Sequence, residues 1–327
     1  MGGDHAPALV VDGALAAARH LQLRLLLVGQ TDALARELSR HRDRDALDLE
    51  VVDAPETIGM AEPPGAALRR KPRASIRVAA EAVATGRADA LFSAGSTGAT
   101  LMAACSAMGL LAGVDRPALA TDIPTRRRPA VLLDAGANVE CRPQHLLQFA
   151  AMGSVYAQVA LGIEQPRIGL LSIGEEETKG NELIREAHRL LKGLPHFIGN
   201  VEGRDVYSGE ADVIVCDGFT GNVALKISEG LVDTIEHLLG EELQSTFTTR
   251  FGYLLSLRAF RRFRRRVDYS EYGGAPLLGV NGLCIVGHGR SSAKAIRNAV
   301  AMAHRFATQD FIRRLEHGIA AVAVHQH

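Results

Sequence analysis

The residues of this 327-residue chain best suited to chemistry sit in five glycine-rich polar loops, each following a short apolar run. These loops are Phe92–Ala99, Asp134–Asn138, Ile173–Asn181, Asp217–Asn222 and Gly287–Ser292. Glycine lets backbone N–H groups come close to an anion, and a helix opening after such a loop adds a favourable dipole. Singly, each loop reads equally well as a turn. Together they point to a site for phosphate or another small oxyanion.

Two lysines sharpen that reading. Only five of the 37 basic residues are lysines (Lys71, Lys179, Lys192, Lys226, Lys294), so a lysine in a glycine-rich loop stands out. Arginine is a rigid fork, whereas lysine is a compact point charge suited to an oxyanion. Lys179 follows Glu175, Glu176 and Glu177, which would keep its ammonium protonated and fix its direction. Lys226 lies one helical turn beyond Asn222, with Glu229 three residues on, and reads as half of a surface ion pair. A positioned lysine and a positioned asparagine amide are groups that stabilise a developing oxyanion. His5 and His288 are candidate acids or bases, or hydrogen-bonded loop residues.

Other chemistries lack their motifs. The sequence has no nucleotide P-loop signature, no dinucleotide-binding glycine pattern after a strand and no serine nucleophile elbow. Cys105, Cys141, Cys216 and Cys284 form no CxxC unit and read as reduced thiols. The run Glu175–Glu177 could ligate a metal but suits a helix's first turn equally well; no metal or cofactor is expected. Lys plus Arg equals Asp plus Glu at 37 each, which argues against nucleic acid held by overall charge. No apolar run approaches the ~18 residues needed to span a bilayer, and no leader pattern is present, so a cytoplasmic protein is expected.

Stepping along the chain, apolar runs alternate with amphipathic stretches. Strands are expected at 24–28, 49–52, 89–93, 118–121, 130–134, 168–173, 197–201, 213–217 and 283–287. Helices are expected at 8–20, 76–85, 98–112, 144–161, 181–191, 222–239 and 291–308. This alternation predicts one three-layer α/β/α domain over 1–327, with a doubly wound, mostly parallel sheet. The five loops would then gather where the strands' carboxyl ends meet. Residues 243–269 interrupt the pattern. Seven arginines and Phe247, Phe251, Tyr253, Phe260 and Phe263 share this segment, and Leu243–Val267 contains no acidic residue. It reads either as a helix on an anionic membrane surface or as a solvated basic helix at a subunit contact.

The motifs also form an ordered set. Met1–Pro7, Ser93–Ala99, Asp134–Val139, Ile173–Glu182, Val201–Asp205, Cys216–Val223 and Tyr272–Gly279 resemble the PlsX family of bacterial phosphate acyltransferases, from Met1 to about Ala303. The resemblance implies a fold similar to phosphotransacetylases and isopropylmalate-type dehydrogenases. It implies transfer of a fatty acyl group from acyl carrier protein to inorganic phosphate. It further implies a homodimer in peripheral contact with the cytoplasmic membrane, supplying acyl phosphate to a glycerol-3-phosphate acyltransferase. With the residue reading, it marks Lys179, Asn222 and His288 as catalytic. Asp4, His5, Ser93, Gly95, Ser96, Thr97, Gly98, Asn138, Asn181, Asp217 and Gly221 are the expected phosphate or substrate contacts. Phe251, Leu254, Phe260 and Phe263 are the expected membrane contacts. The chain departs from the family in lacking a short strand before Met1, and in carrying Ser96 for Asn, Ala74 for Ser and Ser172 for Asn. Rival readings are a coenzyme A phosphotransacetylase and a non-catalytic peripheral membrane adaptor.

Overall fold

The computed structural model describes residues 1–267 and 273–324. The apolar runs form strands β1 (Leu25–Gly29), β2 (Leu49–Asp53), β3 (Ala90–Ser93), β4 (Ala118–Ile123), β5 (Ala130–Leu133), β6 (Ile168–Leu171), β7 (Phe197–Val201), β8 (Val213–Val215), β9 (Ala275–Leu278) and β10 (Leu283–Val286). The first helices are α1 (Ala8–Ala18), α2 (Thr31–Leu38), α3 (Pro64–Arg70), α4 (Ser75–Ala84), α5 (Thr97–Met108) and α6 (Pro143–Ala160). There follow α7 (Glu182–Leu191), α8 (Gly218–Ser245), α9 (Phe247–Val267), α10 (Ala293–Thr308) and α11 (Phe311–Val324). Nine strands match the expected ones. The tenth, β9, follows Gly273 and Gly274 and contains Pro276, a composition that reads as a turn.

Both faces of the sheet are buried, because successive side chains point to opposite faces and the central strands are apolar at nearly every position. In β10, Leu283 and Ile285 join the core with α6 and α10, while Cys284 and Val286 join the core with α4 and α5. In β8, Val213 and Val215 face α6, and Ile214 faces a separate cluster with Leu132 and Val206. Helices on both faces make the three layers.

The strand directions are less simple than a single carboxyl edge. The eight-stranded sheet has the order β3-β10-β9-β4-β5-β8-β6-β7. β9 is antiparallel to both β10 and β4, and β4 is antiparallel to β5. β5, β8, β6 and β7 therefore point opposite to β3 and β10. The loops nevertheless converge, because the two halves are staggered. β4 pairs with β9 only at Ala118 and Leu119, and with β5 from Ala120 to Ile123. Val286 at the end of β10 sits beside Ala275, and Leu133 at the end of β5 sits beside Ala120. Both carboxyl ends thus reach the β9–β4 junction and face each other across it.

The segment 243–269 falls in the end of α8 and in α9. α8 and α9 pack on each other as a long helical pair, with Asp268 and Tyr269 outside the described residues.

β1 and β2 form a separate two-stranded sheet. Between β1 and β3 lies a cavity of about 640 Å³, bordered by Val10 and Ala14 of α1, Ile76 of α4 and Val300 of α10. Among the described residues β1 ladders only with β2, and β3 only with β10, so each turns an unpaired edge toward this slot. Those edges present N–H and C=O groups that a parallel strand would satisfy. The slot, at about 640 Å³, is open to a further short strand. A form extended upstream by a short β-branched strand is expected to melt a few degrees higher, by gaining ladder bonds and apolar burial. Coincident melts of the two forms would show that the slot takes no strand.

Candidate active site

The loop after β5 is organised around one buried carboxylate. Asp134 is fully buried. Its Oδ1 accepts from the N–H groups of Leu119 (3.0 Å), Gly136 (3.1 Å) and Ala137 (2.9 Å). Its Oδ2 accepts from Asn138 N–H (2.7 Å) and Asn138 Nδ2 (2.8 Å). Burial pushes this carboxyl's pKa up, while the five N–H donors favour the anion and oppose that shift. Asn138 Nδ2 also donates to Pro117 O at 2.7 Å. Its amide, expected to meet ligand, instead holds the loop together.

α8 starts directly on this knot. Asp217 caps the helix, accepting from Thr220 N–H (2.9 Å) and Thr220 Oγ1 (2.8 Å). Gly218 N–H donates to Asn138 O at 2.7 Å. A Cβ on Gly218 would stand 2.6 Å from Asn138 O, and one on Gly221 only 1.9 Å from Asp134 O. Asp217 and Gly221, expected as substrate contacts, are thus the means by which α8 docks. One residue on, Asn222 is exposed with its side chain beside Gly136, whose φ is +133°.

The facing loops belong to β3 and β10. Ser93 Oγ accepts from Thr100 Oγ1 (3.0 Å) and Gly95 N–H (3.2 Å), and Ser96 caps α5 by accepting from Ala99 N–H (3.4 Å). Thr97 is exposed in the first turn of α5, and Gly98 lets Pro64 approach closely. The Met1–Asp4 segment threads between the two loops. Asp4 N–H donates to Gly289 O (3.0 Å), and a Cβ on Gly3 would stand 2.6 Å from Ala94 O. Asp4 and His5 are exposed beside these loops.

His288 is half-buried, and its Nδ1 accepts from Arg290 N–H at 3.2 Å. Its Nε2 lies 3.5 Å from Lys226 Nζ, which also donates to Glu229 Oε2 at 2.8 Å. Burial, reinforced by the Lys226 charge, lowers the imidazole pKa and favours the neutral ring. The expected Lys226–Glu229 pair is present, but Lys226 also reaches across the cleft to His288. Sequence reasoning missed that bridge. The available signal was the four-residue step from Asn222, which puts both side chains on one helix face.

The β6 loop is arranged differently from its expectation. Glu177 pairs with Lys192 (2.6 Å) and Glu175 with Arg204 (3.3 Å). Those carboxylates therefore do not direct Lys179, which is exposed and makes no ion pair among the described residues. Asn181 Oδ1 accepts from Ile184 N–H (3.0 Å) and caps α7. The thiols are unsuited to nucleophilic work: burial pushes Cys141 up to about 11 and Cys284 to about 12, and raises Cys216 well above its ordinary value.

The arrangement gathers N–H and cationic donors from both halves of the sheet, as an anion site requires, and depends on α8 seating on Asp134. Gly221→Ala is expected to cost at least ~2 kcal/mol, the scale of forced overpacking, because a backbone carbonyl occupies the space. Urea unfolding checks this, and an unchanged midpoint would mean that α8 can shift freely.

Comparison with known proteins finds relatives over nearly the whole chain. The family model described as "Fatty acid synthesis protein" matches residues 1–314. A phosphate acyltransferase of Heliobacterium modesticaldum is 52% identical over 98% of this chain and 96% of its own length. One from Geobacter sulfurreducens is 49% identical over 96% and 91%. Among solved structures, a phosphotransacetylase from Streptococcus pyogenes superposes with TM-score 0.62 at 18% identity, covering 91% of each chain. A phosphotransacetylase from Staphylococcus aureus gives TM-score 0.57 at 17% identity, covering 93% of this chain and 92% of that one. Those structural likenesses establish the fold, and the sequence matches establish more: this chain belongs to the fatty acid synthesis protein family, alongside relatives named phosphate acyltransferase.

Proposed function

We propose that the protein transfers a fatty acyl group from acyl carrier protein to inorganic phosphate, forming acyl phosphate and the free carrier thiol. The observation that carries this reading is the 52% identity to a phosphate acyltransferase over nearly the whole chain. A phosphate oxygen attacks the thioester carbonyl carbon, and the carbonyl electrons move onto its oxygen. Collapse of the tetrahedral adduct breaks the C–S bond. A thiol of pKa about 8.5 leaves readily as thiolate, so a neutral His288 assists without being indispensable. Lys179 and Asn222 hold phosphate and stabilise the tetrahedral oxyanion, with loop N–H groups around them. The raised cysteine pKa values favour direct attack over an acyl-enzyme. A phosphotransacetylase using coenzyme A thioesters is the second reading, favoured by the fold likeness. Turnover of acyl carrier thioester against acyl coenzyme A, at equal phosphate, separates the two.

The helical pair suits a dimeric, peripherally bound enzyme in the cytoplasm. α8 exposes Ile227, Leu231, Ile235 and Leu238 at helical spacing, an apolar stripe that a second copy would cover. On α9, Phe251, Leu254 and Phe263 are 59%, 62% and 49% exposed, and Arg250, Arg258 and Arg262 are exposed as well. Phe260, expected beside them, is half-buried against Tyr253 with ring centroids 5.2 Å apart. No helix among the described residues is long and apolar enough to cross a membrane. An anionic surface would take the aromatic and basic face of α9, bringing acyl phosphate close to a glycerol-3-phosphate acyltransferase.

Lys179→Ala should lower turnover by at least ~100-fold in a folded protein, the scale of one lost oxyanion contact. Near-normal turnover removes Lys179 from the mechanism. Phe251→Asp combined with Phe263→Asp should release the protein from anionic vesicles in a sedimentation assay, with solution turnover retained. Retained binding would reassign the face to a protein contact.

A further inference from the structure

We infer that Lys226 and His288 together hold the phosphate substrate, a role that rests on the phosphate acyltransferase reading above. A backbone N–H can only donate, so the 3.2 Å contact from Arg290 N–H makes His288 Nδ1 an acceptor. In the neutral ring the proton then sits on Nε2. That atom faces Lys226 Nζ at 3.5 Å, and an ammonium also has only donors to offer. Two donors this close do not bond each other. An acceptor lodged against both is what completes the pair.

Among the described residues, the groups around them do not supply it. Glu229 takes one ammonium proton at 2.8 Å, leaving two directions on Lys226 Nζ. The other charged groups near the imidazole are Asp4 and Arg290. Asp4 is exposed, with its Oδ2 beside Gly289. A small oxyanion from solution would be drawn by the Lys226 ammonium and oriented by its two free N–H directions and the His288 Nε2–H.

Phosphate fits better than the lone oxygen of a tetrahedral adduct. Asn222 lies one turn before Lys226 on the same face of α8, beside Gly136 of the opposing loop. A row of donors thus runs from the β5 loop to the β10 loop. A phosphate presents several acceptor oxygens and can engage Lys226 and His288 while another oxygen points along the row to the reacting carbonyl. The assignment adds a phosphate anchor at the Lys226–His288 end of the row and leaves Lys179 and Asn222 to the attacking phosphate oxygen and the tetrahedral oxyanion.

The test separates phosphate binding from chemistry. Lys226→Gln should raise the KM for phosphate at least tenfold, leave the KM for acyl carrier thioester within twofold, and be partly rescued by Lys226→Arg. Inorganic phosphate, added without acyl donor, should raise the Tm of the native protein and fail to raise that of Lys226→Gln. His288→Gln, which keeps an N–H donor, should retain more of this protection than His288→Ala. Protection by phosphate that is lost in Lys226→Gln, in a protein forming no acyl phosphate, would keep this site and remove the acyltransferase reading. An unchanged phosphate KM and unchanged protection in both Lys226→Gln and His288→Ala, or equal rises in both KM values, would overturn the assignment.

Discussion

Everything at the candidate site leans on one buried anion. Asp134 collects five N–H donors from Leu119, Gly136, Ala137 and Asn138, and a carboxylate held by several amides this way compensates its loss of water. The knot joins the start of β4 to the loop after β5. It also turns Asn138 O and Asp134 O toward α8, which can meet them only because positions 218 and 221 lack side chains. Remove the charge, and the loop, the β4 start and the seat of α8 lose their common support.

From that seat α8 supplies what the sheet alone cannot. The two halves of the sheet run in opposite directions and meet by stagger at β9 and β4, so no single strand edge carries all the loops. α8 rises from the β5 half and, just over two turns in, touches the β10 half through Lys226 and His288. Its first turns therefore serve the cleft, whereas its later turns expose apolar residues and lead into α9. One helix connects chemistry to the surface proposed for dimer and membrane contact.

Much of this was legible in the sequence. The apolar runs located nine strands, and alternating helices gave the three layers. Strand direction was not legible, since period-two patterning carries no polarity, and β9 was hidden by Gly273, Gly274 and Pro276. The loops were found correctly as polar and glycine-rich, but composition could not tell outward from inward polar groups. Asn138, Asp217, Ser96 and Asn181 turn their side-chain oxygen or nitrogen atoms to backbone partners, because loop N–H and C=O groups need them. Lys179 stood out as a lysine in a glycine-rich loop with three acidic neighbours to direct it, yet Lys192 and Arg204 take two of them. Lys226, apparently a plain helix pair in the sequence, gained its second contact only from the tertiary arrangement.

The most direct measurement of this account is amide hydrogen exchange in the native protein and in Asp134→Asn, followed alongside turnover. Asparagine keeps the size but offers only one acceptor atom and no charge. The account predicts faster exchange at Leu119, Ala137 and Asn138 and in the first turn of α8, all together, with turnover falling in step. Unchanged protection of α8 with faster exchange confined to the loop would contradict it, and would place the support of the cleft elsewhere.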